Sequence, residues 1–158
     1  PWMKAAEITD AMIEALKSGK YQTLRCNFPN GDMVGHTGSF RAATMAIEAV
    51  DIGLARLLPV IDALGGVAII TADHGNADEM YEIDKKTGMP KVNKDGTFKA
   101  KTSHTLNKVP CILYDNVTGG KLSLKEGDWG LSNIAATTAN LLGLEKHEAW
   151  DDSMLIIK

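Results

Sequence analysis

The chain has 158 residues, 44% hydrophobic and 23% charged, with a formal charge of -3. That is enough apolar content for one compact unit with its own core. Lys/Arg and Asp/Glu are interspersed and no apolar run approaches the roughly 20 residues of a bilayer span, which argues against nucleic acid and membrane as partners. A soluble, cytoplasmic, monomeric protein is expected, with no exposed apolar stripe apart from the expected core faces. Because the chain opens on Pro1-Trp2-Met3, it is expected to be a fragment of a longer protein.

Ile8, Met12, Ile13 and Leu16 recur at helical spacing, and Gly19 follows as a left-handed cap. Tyr21 to Phe28 reads as a strand with Cys26 beside Leu24 and Phe28. No CxxC spacing accompanies Cys26 or Cys111, so both read as buried free thiols. After Gly38, residues Ala43, Ile47, Val50, Leu54, Leu57, Leu58 and Ile61 describe a long amphipathic helix to Leu64. Pro59 predicts a local kink or restart near Arg56 to Leu58.

Gly65-Gly66 ends that helix, and Val67-Ala68-Ile69-Ile70 has no polar face, the pattern of a strand covered on both sides in a parallel sheet. Residues 84 to 101 carry six lysines around an Asp95-Gly96 turn signal and read as a solvated hairpin or loop. Val109 to Asp115 reads as a strand, and Ser132 to Leu142 as a helix capped by Ser132 or Asn133 and closed by Gly143. The alternation predicts an α/β domain, with helices on both faces of a mostly parallel sheet.

Asp73-His74-Gly75-Asn76 follows the buried strand directly, at the carboxyl edge where open α/β sheets place their sites. Asp32-Met33-Val34-Gly35-His36 sets a carboxylate and an imidazole four residues apart, on one side of a helical turn, beyond the Pro29-Asn30-Gly31 turn. His104, in Thr102-Ser103-His104-Thr105, adds a third imidazole, whereas His147 lies in a polar stretch without such company. Buried charged groups require pairing or a metal, so three such clusters at successive strand ends favour a metal site. Mixed oxygen and nitrogen ligands suit Mn, Zn, Co or Fe rather than Ca.

Asn30-Gly31-Asp32-Met33-Val34-Gly35-His36-Thr37-Gly38, Thr71-Ala72-Asp73-His74-Gly75-Asn76-Ala77-Asp78 and Ser103-His104-Thr105 resemble the metal motifs of cofactor-independent phosphoglycerate mutases, of the alkaline phosphatase superfamily. The likeness runs from Glu7-Ile8-Thr9-Asp10 to Leu141-Leu142-Gly143-Leu144, with departures at Lys108 and Ala136, where many relatives carry Pro. It implies that residues 1–158 are the C-terminal part of a three-layer, phosphatase-like metal-binding domain. The N-terminal segment and the inserted transferase domain would then be absent.

The resemblance further implies that Asp32, His36 and His104 hold one ion. Asp73 and His74 would hold a second, together with an aspartate and the nucleophilic serine, neither of which has a counterpart here. The implied activity is the interconversion of 2-phosphoglycerate and 3-phosphoglycerate through a phosphoserine, in glycolysis and gluconeogenesis. Two divalent ions would serve it, Mn foremost, with Co, Zn, Fe or Mg as alternatives. Ser39, Ser103 and Ser132 do not match the nucleophile's context, so no catalytic residue is assigned and the fragment alone is expected to be inactive. Two other readings stand beside this one: another phosphatase or phosphomutase of the superfamily, and a noncatalytic metal-binding module.

Overall fold

A computed structural model describes residues 1–158. The elements in chain order are α1 (Ala5–Lys17), α2 (Asn30–Gly35), α3 (Phe40–Ala63), β1 (Ala68–Thr71), β2 (Cys111–Tyr114), β3 (Leu122–Leu124), α4 (Asn133–Leu141) and β4 (Leu155–Ile157).

The helical segments follow from their periodicity and end signals. Ser39 caps α3, its Oγ accepting from the Ala42 amide at 3.3 Å. Gly65 closes α3 at φ 69°, which lets the Gly66 amide reach back to the Ile61 carbonyl at 2.9 Å. Pro59 lies inside α3, and of the two outcomes expected there, a kink or a restart, the restart does not occur: the helix runs through it. A missing donor bends a helix without breaking it when packing holds both sides, and here α1 and α2 both pack on α3. The last turn is also tied down, by Asp62 accepting from the Tyr114 hydroxyl at 2.8 Å.

α1 meets α3 at a very close approach. Thr9 is fully buried and donates to the Ala5 carbonyl. A Cβ on Gly53 would stand 2.8 Å from its hydroxyl oxygen and 3.6 Å from the Phe28 ring, so only glycine allows this spacing. Asn30 is likewise fully buried; its amide donates to the carbonyls of Pro1 and Trp2, pinning the start of the chain to the start of α2.

The sheet departs from expectation. β1 pairs with β2 antiparallel, Ile69 opposite Leu113, and β3 with β4 antiparallel, Ser123 opposite Ile156, so the pairs within this chain are not the parallel ones expected. Residues 21–28 form no strand. Leu24, Cys26 and Phe28 do turn inward between exposed neighbours, but no backbone group there joins a backbone hydrogen bond. The period-2 pattern reports the two faces of an extended segment; a strand also needs a partner for its backbone.

Residues 81–100 fold into a meander bridged at Tyr81–Ala100, Ile83–Pro90 and Val92–Phe98. Glu82 takes both Lys91 (3.1 Å) and Lys99 (2.8 Å), and Glu79 takes Lys101 (3.0 Å), so half of the six lysines are paired locally. At α4, Ser132 makes no capping bond; Asn133 instead accepts from the Gly130 amide at 2.8 Å.

The exposed surface is 10677 Å², whereas a compact monomer of this mass exposes about 7,700 Å². Trp2 and Ile52 are 67% and 63% exposed, and border one groove between α1 and α3 together with Met3 and Met45. An exposed apolar stripe therefore does stand apart from the core faces, contrary to the sequence expectation. Cys26 and Cys111 are free and half-buried, and burial raises both thiol pKa values.

Candidate metal centre

Three segments bring the candidate ligands together. α2 presents Asp32, and His36 follows at its C-terminal cap; the loop after β1 presents Asp73 and His74, and the loop before β2 presents His104. The sequence spacing of Asp32 and His36 implied this helical turn, and the structure forms it.

Asp32 Oδ1 is the point of convergence. His104 Nε2 lies 3.0 Å from it, His36 Nε2 3.1 Å and His74 Nε2 3.9 Å. The Nε2 atoms of His36 and His104 are 3.2 Å apart. The donor atoms of Asp32, His36 and His104 all lie within 4.8 Å of one another. A tetrahedral ion with bonds near 2.0–2.1 Å separates its ligand atoms by about 3.3–3.4 Å, so these spacings fit a first-row divalent ion.

The ring orientations fit as well. His36 Nδ1 lies 2.6 Å from the Thr102 carbonyl and His74 Nδ1 lies 3.2 Å from the Gly75 carbonyl. A carbonyl only accepts, so Nδ1 carries the proton of each neutral ring and Nε2 keeps its lone pair toward the cluster. His74 stacks on His104 with centroids 3.7 Å apart.

Asp73 stands apart. Its side chain is 88% exposed, 3.8 Å from His74 Nε2, so Asp73 and His74 supply a pair of donors without a third. His147 instead lies near Trp150 in the C-terminal stretch.

Partial burial pushes the Asp32 carboxyl toward higher pKa. The hydrogen bond from the Asn76 amide, together with the charges that His36, His104 and His74 carry only in their protonated forms, outweighs it and holds the group below its ordinary value. Asp32 is thus an anion ready to meet a cation.

Asn76 and Asp78 belong to the motif around Asp73-His74, and the structure shows what they bond. Asn76 donates to Asp32 Oδ1 at 2.7 Å and to the Asp32 carbonyl at 3.2 Å. Asp78 accepts from the Thr105 hydroxyl (2.9 Å) and the Asn107 amide (2.7 Å), while the Thr105 amide donates to the Gly75 carbonyl at 2.9 Å. The loop of His74 is thereby laced to the loop of His104. The only available signal was proximity in sequence to Asp73-His74, and proximity does not reveal a partner.

A cluster of one carboxylate and imidazoles at these spacings has the donor chemistry of a divalent-metal site. The family model described as "Metalloenzyme superfamily" matches residues 1–146, and the chain belongs to that superfamily. It is 44% identical to the 2,3-bisphosphoglycerate-independent phosphoglycerate mutase of Trypanosoma brucei brucei, over 98% of this chain and 28% of that protein. Against phosphoglycerate mutase 2 of the same kind from Methanosarcina barkeri it is 45% identical, over 100% of this chain and 27% of that one. A crystal structure of Leishmania mexicana phosphoglycerate mutase at low cobalt concentration superposes with a TM-score of 0.94 at 45% identity, over 100% of this chain and 29% of that one. The chain therefore spans less than a third of the relatives it matches.

Proposed function

We propose that this chain is the C-terminal, metal-binding part of a 2,3-bisphosphoglycerate-independent phosphoglycerate mutase, the complete protein interconverting 2- and 3-phosphoglycerate by way of a phosphoserine. The supporting observation is the convergence of His36, His104 and His74 on one oxygen of the Asp32 carboxylate, in a chain similar along its whole length to enzymes so named.

Asp32, His36 and His104 would hold one divalent ion, and Asp73 and His74 would hold part of the shell of a second. Such ions, Mn being our choice, supply charge neutralisation at the transferring phosphoryl group and acidify a hydroxyl. The chain's own contribution is to fix its donors. Thr102 and Gly75 carbonyls set the imidazole tautomers, and the Asn76 amide orients the Asp32 carboxylate and favours its charged form.

By the same likeness the nucleophilic serine would lie in a part of the protein beyond these 158 residues, which span 28% of the trypanosome relative. On this reading the domain is completed by segments beyond the chain, and the protein works in the cytoplasmic steps of glycolysis.

The test is to assay a complete protein carrying these residues for isomerisation of 3-phosphoglycerate, alone and with Asp32→Asn. Turnover abolished by Asp32→Asn, with none from the 158-residue chain, is expected. Hydrolysis of phosphate esters without isomerisation would overturn the proposal in favour of a phosphatase.

A further inference from the structure

Asn76 is only 5% exposed and sits two residues beyond His74, yet its amide is spent on a different loop. Its Nδ2 bonds both the side chain (2.7 Å) and the main-chain carbonyl (3.2 Å) of Asp32. Both partners accept only, so the amide must present its nitrogen to them. The opposite face is fixed by contact: Asn76 Oδ1 is buried without a partner, and a Cβ on Gly35 would stand 2.3 Å from it. Gly35 lies in α2, between Asp32 and His36.

A buried amide oxygen without a donor is unfavourable, so the orientation is maintained by the two bonds to Asp32 and by the contact with Gly35. What the arrangement secures is one rotamer of Asp32, held at two points from the loop that carries Asp73 and His74.

We propose that Asn76 is the positioning residue of the metal centre: seated against Gly35, it locks the Asp32 carboxylate in its ligating orientation and couples the first ion's ligands to the loop that bears the second's. This rests on the reading of Asp32 as a ligand and goes beyond it, because it assigns affinity to a residue that does not touch the ion. Partners of this kind typically change metal affinity by about 10–100-fold. Gly35 is the second half of the device, since any side chain there displaces Asn76 without altering a ligand.

The experiment uses the complete protein that carries these residues, titrated with cobalt(II), whose visible absorption reports coordination geometry, beside Asn76→Leu and Gly35→Ala. Asn76→Leu keeps the volume and removes the donor; Gly35→Ala leaves the donor and pushes it. Both are expected to weaken cobalt binding by about 10–100-fold and to change the visible spectrum of the saturated protein. Circular dichroism of the metal-free proteins identifies folded variants, and Gly35→Ala carries the test if Asn76→Leu does not fold. A folded variant with the wild-type spectrum and affinity, even at a lower melting temperature, would reduce Asn76 to a packing residue and overturn the inference. Failure of the wild-type chain to take up cobalt would overturn the ligand reading together with it.

Discussion

Gly75→Ala should damage the metal-free fold and the metal centre together. A Cβ there would stand 2.1 Å from Thr105 Oγ1 and 2.6 Å from Asp78 Oδ1, both far inside contact distance. Relief must come from moving Thr105 and Asp78, and their displacement breaks the bond between them (2.9 Å) and strains the Thr105 amide bond to the Gly75 carbonyl (2.9 Å).

A hydrogen bond to a charged group contributes about 1.5–3 kcal/mol and a backbone bond about 1. Asp78 is partly solvated, so the low end applies and the expected loss is about 2–3 kcal/mol. For a chain of this length each kcal/mol moves the melting temperature by about 2–4 °C, so calorimetric melting of the metal-free protein should show a drop of about 4–12 °C. His104 precedes Thr105, so Mn affinity should fall as well. In a Thr105→Ala background the same substitution meets less obstruction and should cost measurably less, a coupling that a double-mutant cycle reads directly. A melting temperature within 1 °C of wild type and an unchanged Mn titration would refute the reasoning.

Other consequences can be checked on the same protein. Gly53→Ala gains about 1 kcal/mol of helix propensity but drives a methyl against Thr9 and Phe28, an overpacking cost of about 1–3 kcal/mol; net destabilisation by urea titration is expected, and a net gain would mean that α1 can move away from α3. Burial alone would raise the Asp78 pKa, but bonds from Asn107 and Thr105 leave it below 3.8. Its contribution is therefore full above the unfolded value and is lost as pH falls through the lower folded one. The stability gap between wild type and Asp78→Ala should hold from pH 7 to about 5 and shrink as the pH falls below about 4, and a gap that widens on acidification would sink this assignment. The exposed groove at Trp2, Met3 and Ile52 should make the isolated chain bind a hydrophobic dye or self-associate, and monomeric sedimentation without dye binding would contradict that.

Much of this could be read from the residues. Apolar spacing located α1, α3 and α4, the continuous run at 67–70 located β1, and the four-residue step from Asp32 to His36 foretold the helical turn of α2. The sheet was less legible, because direction depends on which strands meet. An apolar run signals burial, whereas Ile70 faces Ile112 antiparallel through contacts 42 residues apart. The three-residue strands at Leu122–Leu124 and Leu155–Ile157 carry too few positions for a period. Ligand types at the site were visible one residue at a time; the amide of Asn76 reaching Asp32 across 44 positions was not.

The most direct test of the account is calorimetric titration of the metal-free chain with Mn, beside a His36→Ala, His104→Ala double variant. The account predicts one site in the wild-type chain and its loss in the variant, since His36, His104 and Asp32 gather their donors within 4.8 Å. Equal binding by both proteins would contradict it by placing the ion elsewhere in the chain.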